Sequence, residues 1–202
     1  FKNDQHQSIL ITGAGGSIVS KIVEELVKIN IKNIVLLDHS ELHLFKVKKK
    51  YSSLDFSYEI GDIRDHKKID FIWSLYKPKL VIHAAAYKHV SLVEQNVIEG
   101  IKNNVFATIN ILQSSISNKV SNFVFISTDK AVNPKNMMGA TKRLAEMYIQ
   151  AINRSNIFNV NTNLTIVRFG NVLESSGSVI PIFKKQIKYG GPLTLSHQDV
   201  TR

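Results

Sequence analysis

The chain has 202 residues, of which 44% are hydrophobic and 21% are charged, as in folded globular proteins. No apolar run approaches the roughly 20 residues that span a bilayer. The absence of cysteine excludes disulfides and thiolate metal sites. The formal charge of +10 favours anionic partners, but the sequence has no helix-turn-helix signature, zinc-finger spacing or aromatic RNA-binding motif, so we expect no nucleic-acid partner.

Short apolar runs, which we predict to be strands, alternate with longer amphipathic segments. The runs occupy residues 8–12, 33–38, 56–62, 80–86, 123–128 and 164–170. Strands that alternate with helices form right-handed βαβ units, and near-continuous apolar strands indicate a parallel sheet covered on both faces. The sequence therefore predicts an α/β, Rossmann-like doubly wound parallel sheet over residues 1–170. Residues 171–202 predict a helix that ends at Gly190 and Gly191, followed by a short strand, which we interpret as the beginning of a small, truncated C-terminal substrate lobe.

The first predicted strand runs into the glycine-rich stretch "TGAGGSI". Gly13, Gly15 and Gly16 allow a sharp turn and a close approach of the backbone to a ligand. The helix that begins at Ser17 and Ile18 directs its first N–H groups and the positive end of its dipole at the same point. Because a strand precedes the turn and a helix follows it, the pattern strongly indicates a dinucleotide pyrophosphate site.

Asp38 ends the second predicted strand, where a carboxylate suits a ribose with free hydroxyls and repels a 2′-phosphate. The predicted cofactor is therefore NAD, with NADP left open. A second interpretation makes Asp38 a cap of the following helix, although Ser40 can also serve as that cap. Val19 replaces the third glycine of the fingerprint, which normally allows tight helix–strand packing, so we expect weakened or shifted cofactor binding.

Two further segments follow predicted strands at the carboxyl edge of the sheet, where ligands bind in such folds. Asp62, followed by Ile63, places an acceptor where an adenine amino group would lie. The small residues Ala84, Ala85 and Ala86 leave room for a dinucleotide. Each segment alone is also compatible with an ordinary loop, but their shared location favours cofactor binding.

The stretch "STDKAVNPKNMMGATKR" follows the fifth predicted strand. It delivers Thr128, Asp129 and Lys130 to the same edge, and a helix predicted to start near Gly139 carries Lys142 on its first turn. A carboxylic acid and an amine that face one substrate can divide acid and base duties when the site shifts their pKa values. The alternative is a surface ion pair between Asp129 and Lys130, with Lys142 a solvated helix residue.

His39 and His43 stand four residues apart, a spacing that some metal-binding helices use. The segment "HSELH" lacks the zinc-protease order of residues, and it follows the second strand rather than the fifth. We therefore interpret both as surface or helix-packing histidines and predict no metal site.

Five motifs resemble, in order, those of the extended short-chain dehydrogenase/reductases: "ITGAGGSI", "HAAAYKHV", "NNVFAT", "STDKAVNPKNMMGATKR" and "VRFGNVLESSGSVIPIFKKQI". Within that group the chain is similar to the nucleotide-sugar 4,6-dehydratases of bacterial polysaccharide, capsule and protein-glycan biosynthesis. The similarity extends over essentially the whole chain. It implies a lyase that removes water from a UDP-N-acetylhexosamine, typically UDP-GlcNAc, to give the 4-keto-6-deoxy sugar.

By this resemblance, bound NAD or NADP takes a hydride from sugar C4 and returns it to C6 after water has left across C5–C6. The resemblance makes Lys130 the base at C5 and Asp129 the acid that protonates the departing C6 hydroxyl. It makes Thr128 a residue that orients the substrate, and it makes Lys142 the residue that holds the nicotinamide ribose.

Most of the superfamily has a catalytic tyrosine four residues before the lysine, where this chain has Met138. A methionine cannot take the proton of the C4 hydroxyl, so that role passes to Asp129, a water or the substrate itself. The substitution resembles a subset of the dehydratases, often large and membrane-anchored, and it argues against a simple 4-epimerase or dehydrogenase. That subset usually retains the configuration at C5, which we adopt as an expectation.

The resemblance also predicts substrate contacts. It places Tyr87, Lys88 and His89 near the sugar, and Asn171 and the turn at Ser178 near the UDP diphosphate and base. We therefore expect a UDP-sugar as the small-molecule partner.

We further expect a homo-oligomer in the cytoplasm, or the cytoplasmic domain of a larger protein if a segment before Phe1 supplies a membrane anchor. A rival interpretation is a non-catalytic or degenerate dinucleotide-binding module of the same fold. Two residues motivate it: Val19, and Glu174 at a position where the family usually has glycine.

Overall fold

The protein contains a six-stranded sheet, and the computed structural model describes residues 8–154, 161–170, 172 and 179–194. The order of the strands across the sheet is β3-β2-β1-β4-β5-β6, and each neighbouring pair is parallel. This order is that of the doubly wound dinucleotide-binding folds, so the predicted fold class is confirmed. The strands are β1 (Ile9–Thr12), β2 (Ile34–Asp38), β3 (Ser57–Ile60), β4 (Leu80–His83), β5 (Asn122–Thr128) and β6 (Asn163–Phe169).

Helices connect the strands. A π-helical turn (Lys102–Phe106) joins α5 to α6, and a short 3-10 turn (Asp129–Ala131) follows β5. The helices are α1 (Ser17–Lys28), α2 (Glu41–Lys50), α3 (His66–Tyr76), α4 (Val90–Gln95), α5 (Val97–Ile101), α6 (Ala107–Ser117), α7 (Met137–Arg154) and α8 (Val179–Lys188).

Two apolar cores cover the sheet, one on each face. Leu10, Phe123 and Phe125 point to one face and pack against residues of α3, α6 and α7. Ile11 and Leu36 point to the other face and pack against α1 and α2. Because successive residues of a strand alternate between faces, strands buried on both sides are apolar throughout, which is why the runs in the sequence are nearly continuous.

The sheet has a topological switch point between β1 and β4. The chain leaves β1 toward β2 on one side, whereas β4 lies on the other side and leads toward β5. Thr12 is aligned with Leu37 of β2 and with His83 of β4 at the carboxyl ends of these strands. Loops that diverge at such a point leave a crevice, and ligands bind in that crevice.

Some predicted boundaries were wrong. β3 ends at Ile60 and β4 at His83, so Asp62 and residues 84–86 lie in the loops after the strands rather than within them. β3 ends early because the chain turns at once into α3, whose N-cap residue Asp65 donates its N–H to the Asp62 carbonyl.

The chain divides into two compact units, Phe1–Gly170 and Asn171–Arg202. In the second unit, α8 is followed by Gly190 and Gly191, and the side chain of Gln186 hydrogen-bonds to Thr194. Residues 192–194, predicted to begin a strand, are irregular. None of the described helices combines the length and apolarity that crossing a membrane requires.

Candidate active site

The glycine-rich turn after β1 packs closely against the loop after β4. Gly13 has a φ of +74°, which glycine adopts more readily than any other residue. A Cβ atom at Gly13 would lie 2.8 Å from the backbone of Ala85, so a larger residue would push the two loops apart. Gly16 is the N-cap residue of α1 and contributes no side-chain hydrogen bond to it. The turn therefore presents backbone rather than side chains at the start of α1.

Asp38 ties the end of β2 to this turn. Its side chain is buried, and Oδ2 accepts a 2.9 Å hydrogen bond from the Gly15 N–H. Oδ1 accepts one of 2.9 Å from the Ser40 N–H. The residue that caps α2 is Ser40, whose hydroxyl accepts the N–H of His43. The capping interpretation of Asp38 was therefore wrong, and its carboxylate is held at the edge of the crevice.

His39 and His43 flank this carboxylate. Their Nδ1 atoms lie 3.6 Å and 3.8 Å from Asp38 Oδ1. A Cβ atom at Gly15 would overlap the His43 side chain, so His43 packs directly on the glycine-rich turn. The interpretation of His43 as a helix-packing histidine is confirmed. Within the described parts of the chain, no group of three or more His, Asp or Glu residues is arranged to hold a metal ion.

α1 begins at Ser17, as predicted, with Ile18 half-buried in its first turn. Val19 is 1% exposed and packs in the core with Ile11 and Val23. The position of the third fingerprint glycine is thus filled by a well-packed side chain. Its effect on cofactor binding stays a prediction.

The loop after β3 is fixed by two side chains. Asn110 on α6 is buried and donates a 2.8 Å hydrogen bond to the Ile63 carbonyl. Arg64 donates to both carboxylate oxygens of Asp62, from Nε at 3.0 Å and from Nη2 at 2.6 Å. These bonds hold the pKa of Asp62 below its usual range. Asp62 is therefore held as a carboxylate, and its contact with an adenine amino group stays a prediction.

A buried relay of hydrogen bonds crosses the floor of the crevice. Thr12 Oγ1 lies 2.7 Å from His83 Nδ1, and His83 Nε2 lies 2.9 Å from Thr108 Oγ1. Thr108 donates its hydroxyl proton to the Asn104 carbonyl, so the proton between His83 and Thr108 resides on Nε2, and Nδ1 accepts from Thr12. Burial, with a smaller contribution from the charge of Lys142, lowers the pKa of His83 to about 3. The imidazole is therefore neutral and held in one orientation.

Asn104 braces the loop that carries the predicted sugar contacts. It is fully buried in the π-helical turn, and its Oδ1 accepts the Tyr87 N–H at 2.8 Å. Its Nδ2 donates to the Tyr87 carbonyl at 3.0 Å and to the Thr141 hydroxyl at 3.1 Å. Tyr87, Lys88 and His89 are exposed in this loop, at the carboxyl end of β4. π-helical turns are frequent at functional sites, and here the turn aims a buried amide at the crevice.

Thr128, Asp129 and Lys130 form one hydrogen-bonded group at the end of β5. Asp129 Oδ1 accepts from Thr128 Oγ1 at 2.9 Å and from Lys130 Nζ at 3.0 Å. The Asp129 side chain is 53% exposed and that of Lys130 is 29% exposed. Desolvation raises the pKa of Asp129, but the hydrogen bonds from Lys130 and Thr128 outweigh it and hold the pKa below its usual range. The two residues form an ion pair at the carboxyl edge of the sheet, and their catalytic role stays a prediction.

α7 begins at Met137 rather than near Gly139, which places Lys142 on its second turn. The helix starts early because the Asn136 side chain caps it, accepting the Gly139 N–H at 2.8 Å. A Cβ atom at Gly139 would overlap the Lys130 carbonyl. This glycine therefore lets α7 dock against residues 128–130, which we call the reactive segment.

Lys142 is buried, so its interpretation as a solvated helix residue was wrong. Its Nζ donates a 2.9 Å hydrogen bond to the Ile126 carbonyl and lies 4.5 Å from the centroid of the Phe125 ring. Burial lowers the pKa of Lys142 to about 7, although the charge of Glu146 acts in the opposite direction. Met138 lies one turn earlier on α7 and is also buried, with 4% of its surface exposed.

Glu146 links α7 to β5 and β6 behind the reactive segment. The side chain is fully buried, and its Oε1 accepts a 2.6 Å hydrogen bond from Ser127, the residue before Thr128. Arg168 of β6 donates to both carboxylate oxygens, at 2.8 Å and 2.6 Å, and Arg143 donates at 3.1 Å. Burial raises the pKa of Glu146, but these hydrogen bonds outweigh it and keep the carboxylate ionised.

Three residues of the site were missed from the sequence: His83, Asn104 and Glu146. His83 was visible as a polar residue inside the apolar run "LVIHAAA", and Asn104 as part of an Asn pair in an amphipathic segment. Glu146 carries no such signal, because one acidic residue in a helix is usually exposed. The predicted substrate residues Asn171 and Ser178, and also Glu174, lie outside the described residues.

Comparisons with known proteins identify the family of the chain. A family model described as "Polysaccharide biosynthesis protein" matches residues 9–202. The capsular polysaccharide biosynthesis protein CapD of Staphylococcus aureus is 46% identical in an alignment that covers 98% of this chain and 33% of CapD. A UDP-glucose 4-epimerase of Rickettsia canadensis is 37% identical, with 97% of this chain and 58% of the epimerase covered. A UDP-N-acetylglucosamine 4,6-dehydratase (inverting) of Campylobacter jejuni is 38% identical, with 91% of this chain and 54% of that enzyme covered.

Among solved structures, that of Pen from Bacillus thuringiensis superposes with a TM-score of 0.86 at 36% identity, covering 92% of this chain and 56% of Pen. The chain thus spans a third of CapD and a little over half of the other relatives. The chain therefore belongs to the polysaccharide biosynthesis protein family, and the relatives that it matches include a nucleotide-sugar dehydratase and an epimerase.

Proposed function

We propose that the chain is the dinucleotide-binding part of a nucleotide-sugar 4,6-dehydratase that acts on UDP-N-acetylglucosamine or a close analogue. One observation carries the proposal: the hydrogen-bonded group of Thr128, Asp129 and Lys130 offers an acid and an amine at the carboxyl end of β5. The buried Met138 offers no proton acceptor where a 4-epimerase or dehydrogenase of this type has a tyrosine. The acid–base pair of the site therefore suits elimination of water better than simple oxidation at C4.

The crevice residues fit a dinucleotide. A Cβ atom would fill the cradle at Gly13, and the Asp38 carboxylate is fixed at the position that suits ribose hydroxyls. A 2′-phosphate would meet that carboxylate, so NAD is the proposed cofactor. When bound, NAD would accept a hydride from sugar C4 and return it to C6. We assign Lys142 to the nicotinamide ribose, because its amine donates to the carbonyl of Ile126, two residues before the end of β5, and so lies beside the candidate site.

Asp129 and Lys130 would divide the proton transfers. As an ion pair they hold the wrong protonation states, since the acid must carry a proton and the base must be neutral. Transfer of one proton along their 3.0 Å hydrogen bond gives a carboxylic acid and a neutral amine. A bound sugar that excludes water favours this neutral pair, because desolvation penalises both charges. Lys130 then takes the C5 proton, and Asp129 gives its proton to the C6 hydroxyl, which leaves as water.

The test is incubation of the full-length protein with UDP-GlcNAc and NAD in D₂O, followed by NMR of the sugar. The proposal expects a 4-keto-6-deoxy product with deuterium at C5, since C5 loses its proton and regains one from solvent. Retention at C5, which we include in the proposal, is read from the ring coupling constants. A 4-epimer without deuterium at C5 would instead identify an epimerase. Bound NAD with an unchanged sugar would identify a non-catalytic module.

A pair of lysine variants tests the role of Lys130. Lys130→Ala is expected to abolish dehydration while leaving the Kd for NAD within about twofold of the wild type. Lys135→Ala removes an exposed lysine from the following loop and serves as the control, with activity unchanged. Substantial turnover by Lys130→Ala would overturn the assignment of the base.

A further inference from the structure

The fold separates the charges of the first unit between the two ends of its sheet. Seven exposed cations lie at helix ends or in loops that lead into strands, which is the amino-end edge of the sheet. We call this set the basic edge: Lys32, Lys48, Lys49, Lys77, Lys79, Lys119 and Arg154. Asp55 is the acidic residue of the same loops, and Glu24 and Glu25 of α1 are already bridged to Lys50 and Lys28.

Backbone hydrogen bonds show that the loops that carry three of these residues, Lys32, Lys79 and Lys119, are neighbours. The Lys79 N–H donates to the Ser8 carbonyl at 2.9 Å, and the Lys79 carbonyl accepts the N–H groups of Ser121 at 3.0 Å and Asn122 at 3.1 Å. On the other side of β1, the Ile9 N–H donates to the Asn33 carbonyl at 2.9 Å. These loops therefore run side by side along one end of the sheet, and the helix ends that carry Lys48, Lys49 and Arg154 precede strands of the same sheet.

The opposite end is close to electrically neutral. Acidic residues gather there and alternate with cations such as Arg64, Lys102 and Lys130, several of which they bridge. The acids are Asp38, Glu41, Asp62, Asp65, Glu94, Glu99 and Asp129. Within the described part of the first unit, the excess of exposed cations therefore lies on the end of the sheet that faces away from the candidate active site.

We propose that the basic edge is a docking surface for an anionic lipid bilayer. Lysine supplies all but one of its cations, and lysines near a surface of anionic headgroups each strengthen binding, by roughly fivefold. Two exposed aliphatic side chains stand among them, Ile29 at the end of α1 and Leu75 in the last turn of α3. Basic and aliphatic side chains on one face are the combination that binds membrane interfaces.

Nucleic acid is the rival polyanion, and the edge fits it less well. Recognition of nucleic acid relies on planar arginine pairing with bases and on aromatic stacking platforms. The only arginine of the edge is Arg154. The aromatic residues of its described loops and helix ends are buried or half-buried: Tyr51, Phe56, Trp73 and Tyr76. Docking by this edge also has a consequence for the site. β5 has seven residues, so the carboxyl end of the sheet would stand about 20 Å from the headgroups and open to water.

The test is flotation of the full chain with large vesicles of pure phosphatidylcholine or of phosphatidylcholine with 30 mol% phosphatidylglycerol. We expect binding to the anionic vesicles alone, and its loss between 50 mM and 300 mM salt. The triple variant Lys48→Ala, Lys49→Ala, Lys79→Ala should lower the partition coefficient by about 100-fold, as three fivefold losses predict. The matched triple Lys67→Ala, Lys102→Ala, Lys135→Ala removes the same charge from exposed positions elsewhere and should change it less than threefold.

Circular dichroism melting of both triples establishes that they are folded. Equal losses in the two triples would show that net charge alone governs binding and would overturn the proposal. Equal binding to neutral vesicles would do so as well. The third measurement uses a labelled 20-base-pair duplex. If the chain bound the duplex more tightly than anionic vesicles, and only the triple variant at Lys48, Lys49 and Lys79 lost that binding, the edge would be reassigned to nucleic acid. The proposal concerns a surface remote from the crevice, so these outcomes do not depend on the dehydratase assignment.

Discussion

Replacement of Lys142 by methionine is expected to stabilise the fold while it removes the amine from the site. Burial lowers the pKa of Lys142 from 10.5 to about 7, so the folded protein binds this proton more weakly than the unfolded chain does. A shift of that size corresponds to about 5 kcal/mol at 1.36 kcal/mol per pKa unit. The penalty is fully present below pH 7, where both states are protonated. It disappears toward pH 10.5, where both are neutral, so the free energy of unfolding of the wild type rises between these limits.

Methionine fills the same volume without a charge, and its gain is smaller than the full penalty. The variant loses the hydrogen bond to the Ile126 carbonyl, worth about 1 kcal/mol, and the contact of the ammonium with the Phe125 ring, worth about 1 kcal/mol. We therefore expect Lys142→Met to raise the free energy of unfolding by about 3 kcal/mol at pH 7. The gain should shrink as the pH rises toward 10.

The assay is urea unfolding of the dinucleotide-free chain from pH 6 to pH 9.5 at constant ionic strength. The difference between variant and wild type isolates the Lys142 proton from other titrating groups, and it should fall by about 1.4 kcal/mol per pH unit above pH 7. Lys135→Met, at an exposed position, should follow the wild type throughout. A Lys142→Met curve parallel to the wild type, or a variant less stable at pH 7, would refute the idea that a buried amine opposes folding.

Three further substitutions test the supports of the site. Gly139→Ala should destabilise the chain by about 1–3 kcal/mol, because its methyl group overlaps the Lys130 carbonyl, and a thermal melt unchanged by the substitution would contradict that contact. Glu146→Gln should cost about 2 kcal/mol in urea unfolding, since it weakens the charge-assisted hydrogen bonds from Arg168, which is partly exposed, and a loss below about 0.5 kcal/mol would show the network to be marginal. Asp38→Asn should lower the ratio of NAD to NADP affinity by about tenfold in calorimetric titrations, because a charge-assisted hydrogen bond to the ribose and the repulsion of a 2′-phosphate are lost together. An unchanged ratio would show that Asp38 does not determine which cofactor binds.

The fold could be predicted because each level of the sequence agrees with the next. Continuous apolar runs require a sheet covered on both faces, and their alternation with helices requires parallel pairing of the strands. Gly13, Gly15 and Gly16 place the turn at the first crossover. The position of the reactive segment follows from the same rules, because Thr128 ends β5 and parallel strands bring their carboxyl ends together. The topology of the sheet decides which residues meet at one edge, and the alternation of apolar runs with helices predicts that topology.

The direction of individual side chains could not be predicted in this way. Lys142 was read as either a ribose ligand or a solvated residue, and its burial against Ile126 depends on how deeply α7 docks on β5. That depth is set by Gly139 at one end of the contact and by Glu146 at the other, through interactions between residues distant in sequence. The cap at Asn136 moved the helix start for a similar reason, since Asn is read equally well as part of a loop.

Two ionisable side chains are buried near the carboxyl edge of the sheet, His83 of β4 and Lys142 of α7. An imidazole held in neutral form and an amine with its pKa near 7 would each be unfavourable in an ordinary core. Phe125 of β5 links the two, because its ring stacks on His83 with 5.8 Å between centroids and its centroid lies 4.5 Å from Lys142 Nζ. Unfavourable groups that lie together in this way are retained for something other than stability. A non-catalytic module would gain stability by losing the buried amine, so the presence of Lys142 itself argues that the edge carries out chemistry.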